Sequence, residues 1–129
     1  MATTQPSLAI ADGGTSGTLN KAGLGTLTLT GANTYTGGTN IHAGTLALSG
    51  LGALDGTSTV TVDNLATFDI SAGLATTMVG ALVGSGSVHL GLNTLQFGNT
   101  DPTPQTFSGV IGWRRWYHYE WNRRCHLRW

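Results

Sequence analysis

The chain has 129 residues, 20 of them Gly, with 9% charged residues and a formal net charge of +0; this fits one domain and excludes a disordered polyelectrolyte, a coiled coil or a long solvated helix. Three Pro and no third-residue Gly period exclude collagen, and a single Cys excludes a disulfide framework or multi-thiolate zinc site. The neutrality is a sum of unlike parts: residues 1–112 hold every Gly and carry one Lys against five Asp, whereas residues 113–129 hold all four Trp and carry five Arg against one Glu.

The opening Met-Ala-Thr-Thr-Gln-Pro-Ser has no basic stretch ahead of a long apolar run, so it does not read as a secretory signal as it stands. No run approaches the ~18 apolar residues of a membrane-spanning helix, and no membrane insertion is expected. Residues 1–22 read as an N-terminal partial coil or cap, residues 23–112 as a repeat region, and residues 113–129 as a separate tail.

From residue 25 onward, short bursts alternate apolar with Thr or Ser positions, the first two bounded by Gly: Gly25-Thr-Leu-Thr-Leu-Thr-Gly31, Gly44-Thr-Leu-Ala-Leu-Ser-Gly50, Thr57-Ser-Thr-Val-Thr-Val62, Ala66-Thr-Phe-Asp-Ile70, Ser87-Val-His-Leu90 and Thr94-Leu-Gln-Phe97. Side chains of a strand alternate between faces, so Leu27 and Leu29 share a buried face opposite Thr26, Thr28 and Thr30. Gly recurs too often, and Thr and Val are too weak as helix formers, for a helical reading. The first two bursts start 19 residues apart, with a further short strand around Thr39 to Ile41 between them. A period near twenty with several Gly turns predicts a solenoid rising about 4.8 Å per coil, with roughly five or six coils in residues 1–112. A β-sandwich is the competing all-β architecture; the scarcity of aromatic residues in this region favours the narrower solenoid interior.

The stretch from Gly23 to Gly50, GLGTLTLTGANTYTGGTNIHAGTLALSG, resembles the passenger-associated repeat of bacterial autotransporters. Gly25, Thr26, Leu27, Leu29, Gly31, Asn33, Tyr35, Gly37, Gly38, Thr39, Ile41, Gly44, Thr45, Leu46 and Leu48 fall on the repeat's pattern, and Gln105-Thr-Phe-Ser-Gly-Val-Ile111 resembles the lead into another copy. The resemblance implies a right-handed parallel β-helix, displayed or released outside a Gram-negative cell after passage through a C-terminal barrel of the same polypeptide. It implies a non-catalytic structural segment that assists passenger folding and secretion, with an adhesive module for a host surface or matrix as the alternative. The implied partners are neighbouring coils and the translocator barrel of a parent chain, with self-association through the end coils and no nucleic acid.

Within the repeat, the glycines are read as corners needing positive φ or close backbone approach. Asn33 is read as a solvated turn residue ahead of a hydrogen-bonding one, and Tyr35 as packing beside a corner. No cofactor, metal or catalytic residue is assigned. His42 and His89 read as exposed strand residues, and Cys125, His118 and His126 have poor spacing for a metal. Asp63 and Asp69 could converge on neighbouring coils as the acid pair of a polysaccharide-acting β-helix; the plainer reading puts Asp63 in a turn with Asn64 and Asp69 outward between buried Phe68 and Ile70. Thr-x-Thr runs at residues 26–30 and 57–61 could form an ice-binding ladder, but they do not recur at equal spacing.

The tail, WRRWYHYEWNRRCHLRW, shares nothing with the body, and no ordered place in the coil is expected for it. Read one nucleotide later, every Trp codon yields Gly, Tyr117 and His118 yield Ile or Thr, Glu120 yields Asn or Ser, and Cys125 yields Val or Ala. That is the alphabet of the body, so the tail is read as an out-of-frame translation of the next repeat; a coding DNA whose neighbouring frame lacks a Gly-rich repeat would refute this. Adsorption of a Trp/Arg segment to anionic membranes or single-stranded nucleic acid is the weaker reading.

Overall fold

A computed structural model describes residues 16–97, 105–112, 115–118 and 125–127. Among these residues there is no helix, and every strand pairing is parallel. The strands are β1 (Leu19–Lys21), β2 (Thr26–Leu29), β3 (Thr39–Ile41), β4 (Thr45–Ser49), β5 (Thr59–Val62), β6 (Thr67–Ala72), β7 (Thr76–Met78), β8 (Ala81–Gly84), β9 (Ser87–His89), β10 (Thr94–Phe97), β11 (Gln105–Phe107), β12 (Val110–Gly112), β13 (Arg115–His118) and β14 (Cys125–Leu127). They form three sheets in the orders β1-β3-β5-β8-β11-β14, β2-β4-β6-β9-β12 and β7-β10-β13. Successive strands of the chain pass from one sheet to the next, so the chain winds as a parallel β-solenoid of about four turns.

The period-two pattern decides which side chains enter the core. In the five-stranded sheet, register places Leu27, Leu46, Phe68, Val88 and Ile111 in one inward column, and Leu46, Phe68 and Val88 are buried to within 1%. In the six-stranded sheet, Ile41, Val62, Gly84 and Phe107 form another column. Gly84 lies between the bulkier Val62 and Phe107 at φ +115°, where any Cβ would press into the Val62 backbone. Each fully buried aliphatic or aromatic side chain contributes about 1.5–3 kcal/mol, so these columns are the main source of stability.

The coils are unequal in length: register partners are 20 residues apart from β1 to β3 and 22 from β5 to β8. From β1 to β11 the chain completes about four turns, and residues 1–15, on which the expected number of coils also rests, lie outside the described residues. The sequence bursts and the short strand at Thr39 to Ile41 anticipate β2 to β6, β9 and β10, but β7 and β8 escape them: Thr76–Met78 is too short to show a period, and Ala81–Gly84 is buried at both Ala81 and Leu82.

The tail departs from expectation more plainly. β13 pairs with β10 from Thr94↔Arg115 to Phe97↔His118, and β14 pairs with β11 from Gln105↔Cys125 to Phe107↔Leu127. The foreign sequence thus continues two of the ladders. A parallel ladder is made of backbone groups that any non-Pro residue supplies, and Trp and Tyr are strong strand formers.

Candidate functional site

The candidate site is the polar part of the first two coils, where most of the repeat-pattern residues lie. Thr26, Leu27 and Leu29 lie on β2, Thr39 and Ile41 on β3, and Thr45, Leu46 and Leu48 on β4; Gly25, Gly31, Asn33, Tyr35, Gly37, Gly38 and Gly44 lie in the connecting segments. Leu29, Ile41, Leu46 and Leu48 are core, with Leu27 packed against them.

Asn33 is not a solvated turn residue. It is 4% exposed, and its Nδ2 donates to Gly31 O at 3.1 Å and to Ala53 O of the next coil at 2.7 Å. The neighbouring bridge Ala32↔Ala53 and the Asn33 N–H to Ala53 O bond (3.0 Å) fix the same junction. Burying an amide is tolerable only when its hydrogen bonds are made, and here Gly31 of the same coil and Ala53 of the next accept them. Asn93 does the same in the opposite direction, donating to Ile70 O of the coil before it at 2.7 Å.

Tyr35 packs, as read from the sequence. It is buried, and its phenol and the Thr39 hydroxyl lie 2.6 Å apart. Burial raises the Tyr35 pKa above its ordinary value, and the bond to Thr39 offsets part of that rise. Thr39 stands inward in the column of Leu19, Val60 and Leu82, so this hydroxyl pair satisfies two groups that would otherwise be orphaned in an apolar interior.

Lys21 is the functional-looking residue that sequence reasoning missed. Register aligns it with Ile41 and Val62 in the inward column, and it is only 7% exposed. Its ammonium donates to Ala22 O (2.9 Å), Gly23 O (2.8 Å) and Ala43 O (3.3 Å), filling the corner between two coils. Gly44, at φ +67°, makes room for it: a Cβ there would lie 2.8 Å from the Lys21 Nζ and closer still to Gly23 O and Gly25 O. The available signal was that Lys21 is the only Lys or Arg in residues 1–112. Gly25 itself has open space around it and no positive φ, and nothing in the structure requires Gly there.

The carboxylates do not converge. Asp63 and Asp69 belong to one coil, on either side of a turn closed by the Ala66 N–H to Asp63 O bond (3.0 Å). Asp63 pairs with His42 of the previous coil at 2.7 Å, with both side chains nearly half exposed. Asp69 faces outward between buried Phe68 and Ile70, and its Oδ1 accepts from Ser71 N–H (2.9 Å) and Ser71 Oγ–H (2.6 Å). His42 is exposed, as read from the sequence, and lies directly after β3 with Asp63 as its partner. His118 and the pair Cys125 and His126 fall on strands of different sheets. Among the described residues no group of three or more His, Cys, Asp or Glu could hold a metal.

These features coincide with a known pattern. The family model of the passenger-associated-transport-repeat matches residues 19–48, which span β1 to β4. Residues 19–48 are an autotransporter passenger repeat. The match begins at Leu19, four residues ahead of Gly23, and so takes in Lys21. No curated protein and no solved structure matches the chain. The repeat therefore accounts for the first two coils, and the solenoid beyond them rests on the sheet register alone.

Proposed function

We propose that the chain is a structural display segment of an autotransporter passenger, non-catalytic, whose repeat assists folding and secretion of a parent located at the cell surface or released from it. The supporting observation is that the matched repeat builds two coils whose polar corners are satisfied by the adjoining coil: Asn33 by Ala53, and Lys21 in part by Ala43. A coil of this kind offers its neighbour both a strand edge and the carbonyls that complete buried side chains. Folding can then proceed by adding one coil at a time to a finished template, which suits a chain that emerges from a pore in sequence order.

The test places residues 1–112 between an export signal and a translocator barrel and measures surface exposure by external protease. Deleting residues 19–48 should lower the displayed fraction severalfold, and the double variant Lys21→Ala with Asn33→Ala should lower it in the same direction. Unchanged display in both would reject the folding role. Saturable binding of the wild-type segment to a matrix protein or glycan would instead favour the adhesive reading.

A further inference from the structure

The segment between β4 and β5 carries a reactive pair that the display role does not use. Asp55, Gly56 and Thr57 stand between buried Leu54 and buried Ser58, outside every strand, so the chain is anchored on both sides of them. The Asp55 carbonyl accepts from Ser58 N–H (3.3 Å) and Ser58 Oγ–H (3.1 Å), closing a turn, and Asp55 Oδ2 accepts from Thr57 Oγ–H at 2.6 Å. The last bond reaches past Gly56 and folds the carboxyl back along its own chain. The Gly56 N–H makes no hydrogen bond among the described residues, and Gly has no Cβ to block an approach to that nitrogen.

Asp63 and Asp69, the other carboxylates of the described residues, lack this combination. Asp63 precedes Asn64 and is paired with His42. Asp69 lies within β6, beside His89 of β9, and the β-branched Ile70 follows it. No Asn of the chain is followed by Gly. We propose that Asp55–Gly56 is a site of spontaneous covalent modification, at which aspartate is converted to isoaspartate through a cyclic imide. The Gly56 nitrogen bonds to Asp55 Cγ and a Cγ–O bond breaks; the departing oxygen leaves as water, taking the amide proton and one proton from solvent. Water then opens the five-membered ring. Cleavage between Gly56 N and Asp55 Cγ restores aspartate, whereas cleavage between Gly56 N and the Asp55 main-chain carbonyl carbon leaves the chain running through Cβ and Cγ, which is isoaspartate.

The product has the mass of the starting chain but one more main-chain carbon, and its free carboxylate sits on Cα. Because β5 is held in register by β3 on one side and β8 on the other, the added carbon is absorbed in the turn, where it disturbs the bonds from Ser58 and Thr57. The conversion therefore loosens the link between two coils without shifting the ladders. The altered residue is also a substrate for the class of methyltransferase that esterifies isoaspartate with S-adenosylmethionine as methyl donor. The proposal does not rest on the display role: a segment that fails to assist secretion would convert in the same way.

The test incubates the full chain at neutral pH below its thermal midpoint and maps peptides at intervals by electron-transfer fragmentation, which distinguishes isoaspartate from aspartate. Site-resolved reading separates residue 55 from Asp12-Gly13, which lies outside the described residues. A free peptide of sequence Ala-Leu-Asp-Gly-Thr-Ser gives the rate of the unrestrained pair. Isoaspartate should accumulate at residue 55 within severalfold of the peptide's rate, alongside a minor species lighter by one water, and the methyltransferase should label the aged chain there. Gly56→Ala should slow the conversion severalfold. A Cβ at Gly56 meets only the Met78 side chain, at 3.5–3.7 Å, and Gly56 has no positive φ, so this variant keeps the fold, as far-UV circular dichroism checks. If it does not fold, Asp55→Glu replaces it; the longer acid would need a six-membered ring and should give no product at residue 55. A residue 55 that stays aspartate while the peptide converts, or a Gly56→Ala chain that converts as fast as the wild type, would overturn the proposal.

Discussion

The coils of residues 19–48 and those that follow share two ladders but close their third side differently. In the matched repeat, the segment between β2 and β3 has no strand in the third sheet; it is held by the Ala32↔Ala53 bridge, the Asn33 amide and the Tyr35–Thr39 hydroxyl pair. From β7 onward that side becomes a sheet of its own, β7-β10-β13. The core shifts with it. Polar groups satisfied by the next coil give way to larger apolar side chains, Phe68, Phe97 and Phe107, all within 1% of full burial. The winding therefore needs only period-two apolar positions and passable corners, and the repeat motif is one of two ways to complete a coil.

The largest effect should come from the apolar region. Phe68 is stacked between Leu46 and Val88, and Phe68→Ala should cost about 3–5 kcal/mol in urea unfolding, within the range for buried aromatic truncations. A loss under about 1 kcal/mol would mean that the column repacks and that the later coils are not held by it. In the repeat, Lys21→Met keeps the length of the side chain and removes its three bonds to carbonyl oxygens. It should cost about 1–3 kcal/mol, because hydrogen bonds from a charged donor are lost at a buried corner. An unchanged or raised thermal midpoint would show that the first coils also prefer apolar filling, and the contrast between the two regions would disappear.

The smallest effect concerns Tyr35. Tyr35→Phe should cost about 1 kcal/mol at neutral pH, the net worth of one buried hydrogen bond. Its pH dependence has a definite sign. Burial raises the folded-state pKa above 10.0, so the unfolded chain loses its phenolic proton first, and the folded state holds more protons in that window. The Tyr35 contribution is complete below pH 10.0 and falls as pH rises through the folded-state value. Stability measured by denaturant titration from pH 8 to 11 should fall in the wild type and fall less in Tyr35→Phe; identical slopes would assign the alkaline loss to other groups.

How much could be read without coordinates differed by residue. Leu27, Leu29, Leu46 and Leu48 announce their strands because alternation is local, and the outward placement of Asp69 followed from its flanking Phe68 and Ile70. Asn33 and Lys21 were opaque, since each is buried by a residue of the next coil, Ala53 or Ala43, about twenty positions away. His42 and Asp63 were read separately for the same reason, and the tail strands β13 and β14 were not expected at all.

By itself, the sequence determined an all-β chain, its short strands, its glycine corners, a coil of about twenty residues and the identity of the repeat, because period-two burial and turn chemistry act between near neighbours. Tertiary structure alone decided which coils acquire a third strand, that one Lys and one Asn turn inward, and that His42 meets Asp63 while Asp69 stands beside His89. Those outcomes depend on register, and register is the accumulated length of coils that differ by one to four residues. A single added residue in a corner changes every cross-coil partner that follows, without altering the local pattern from which strands are read.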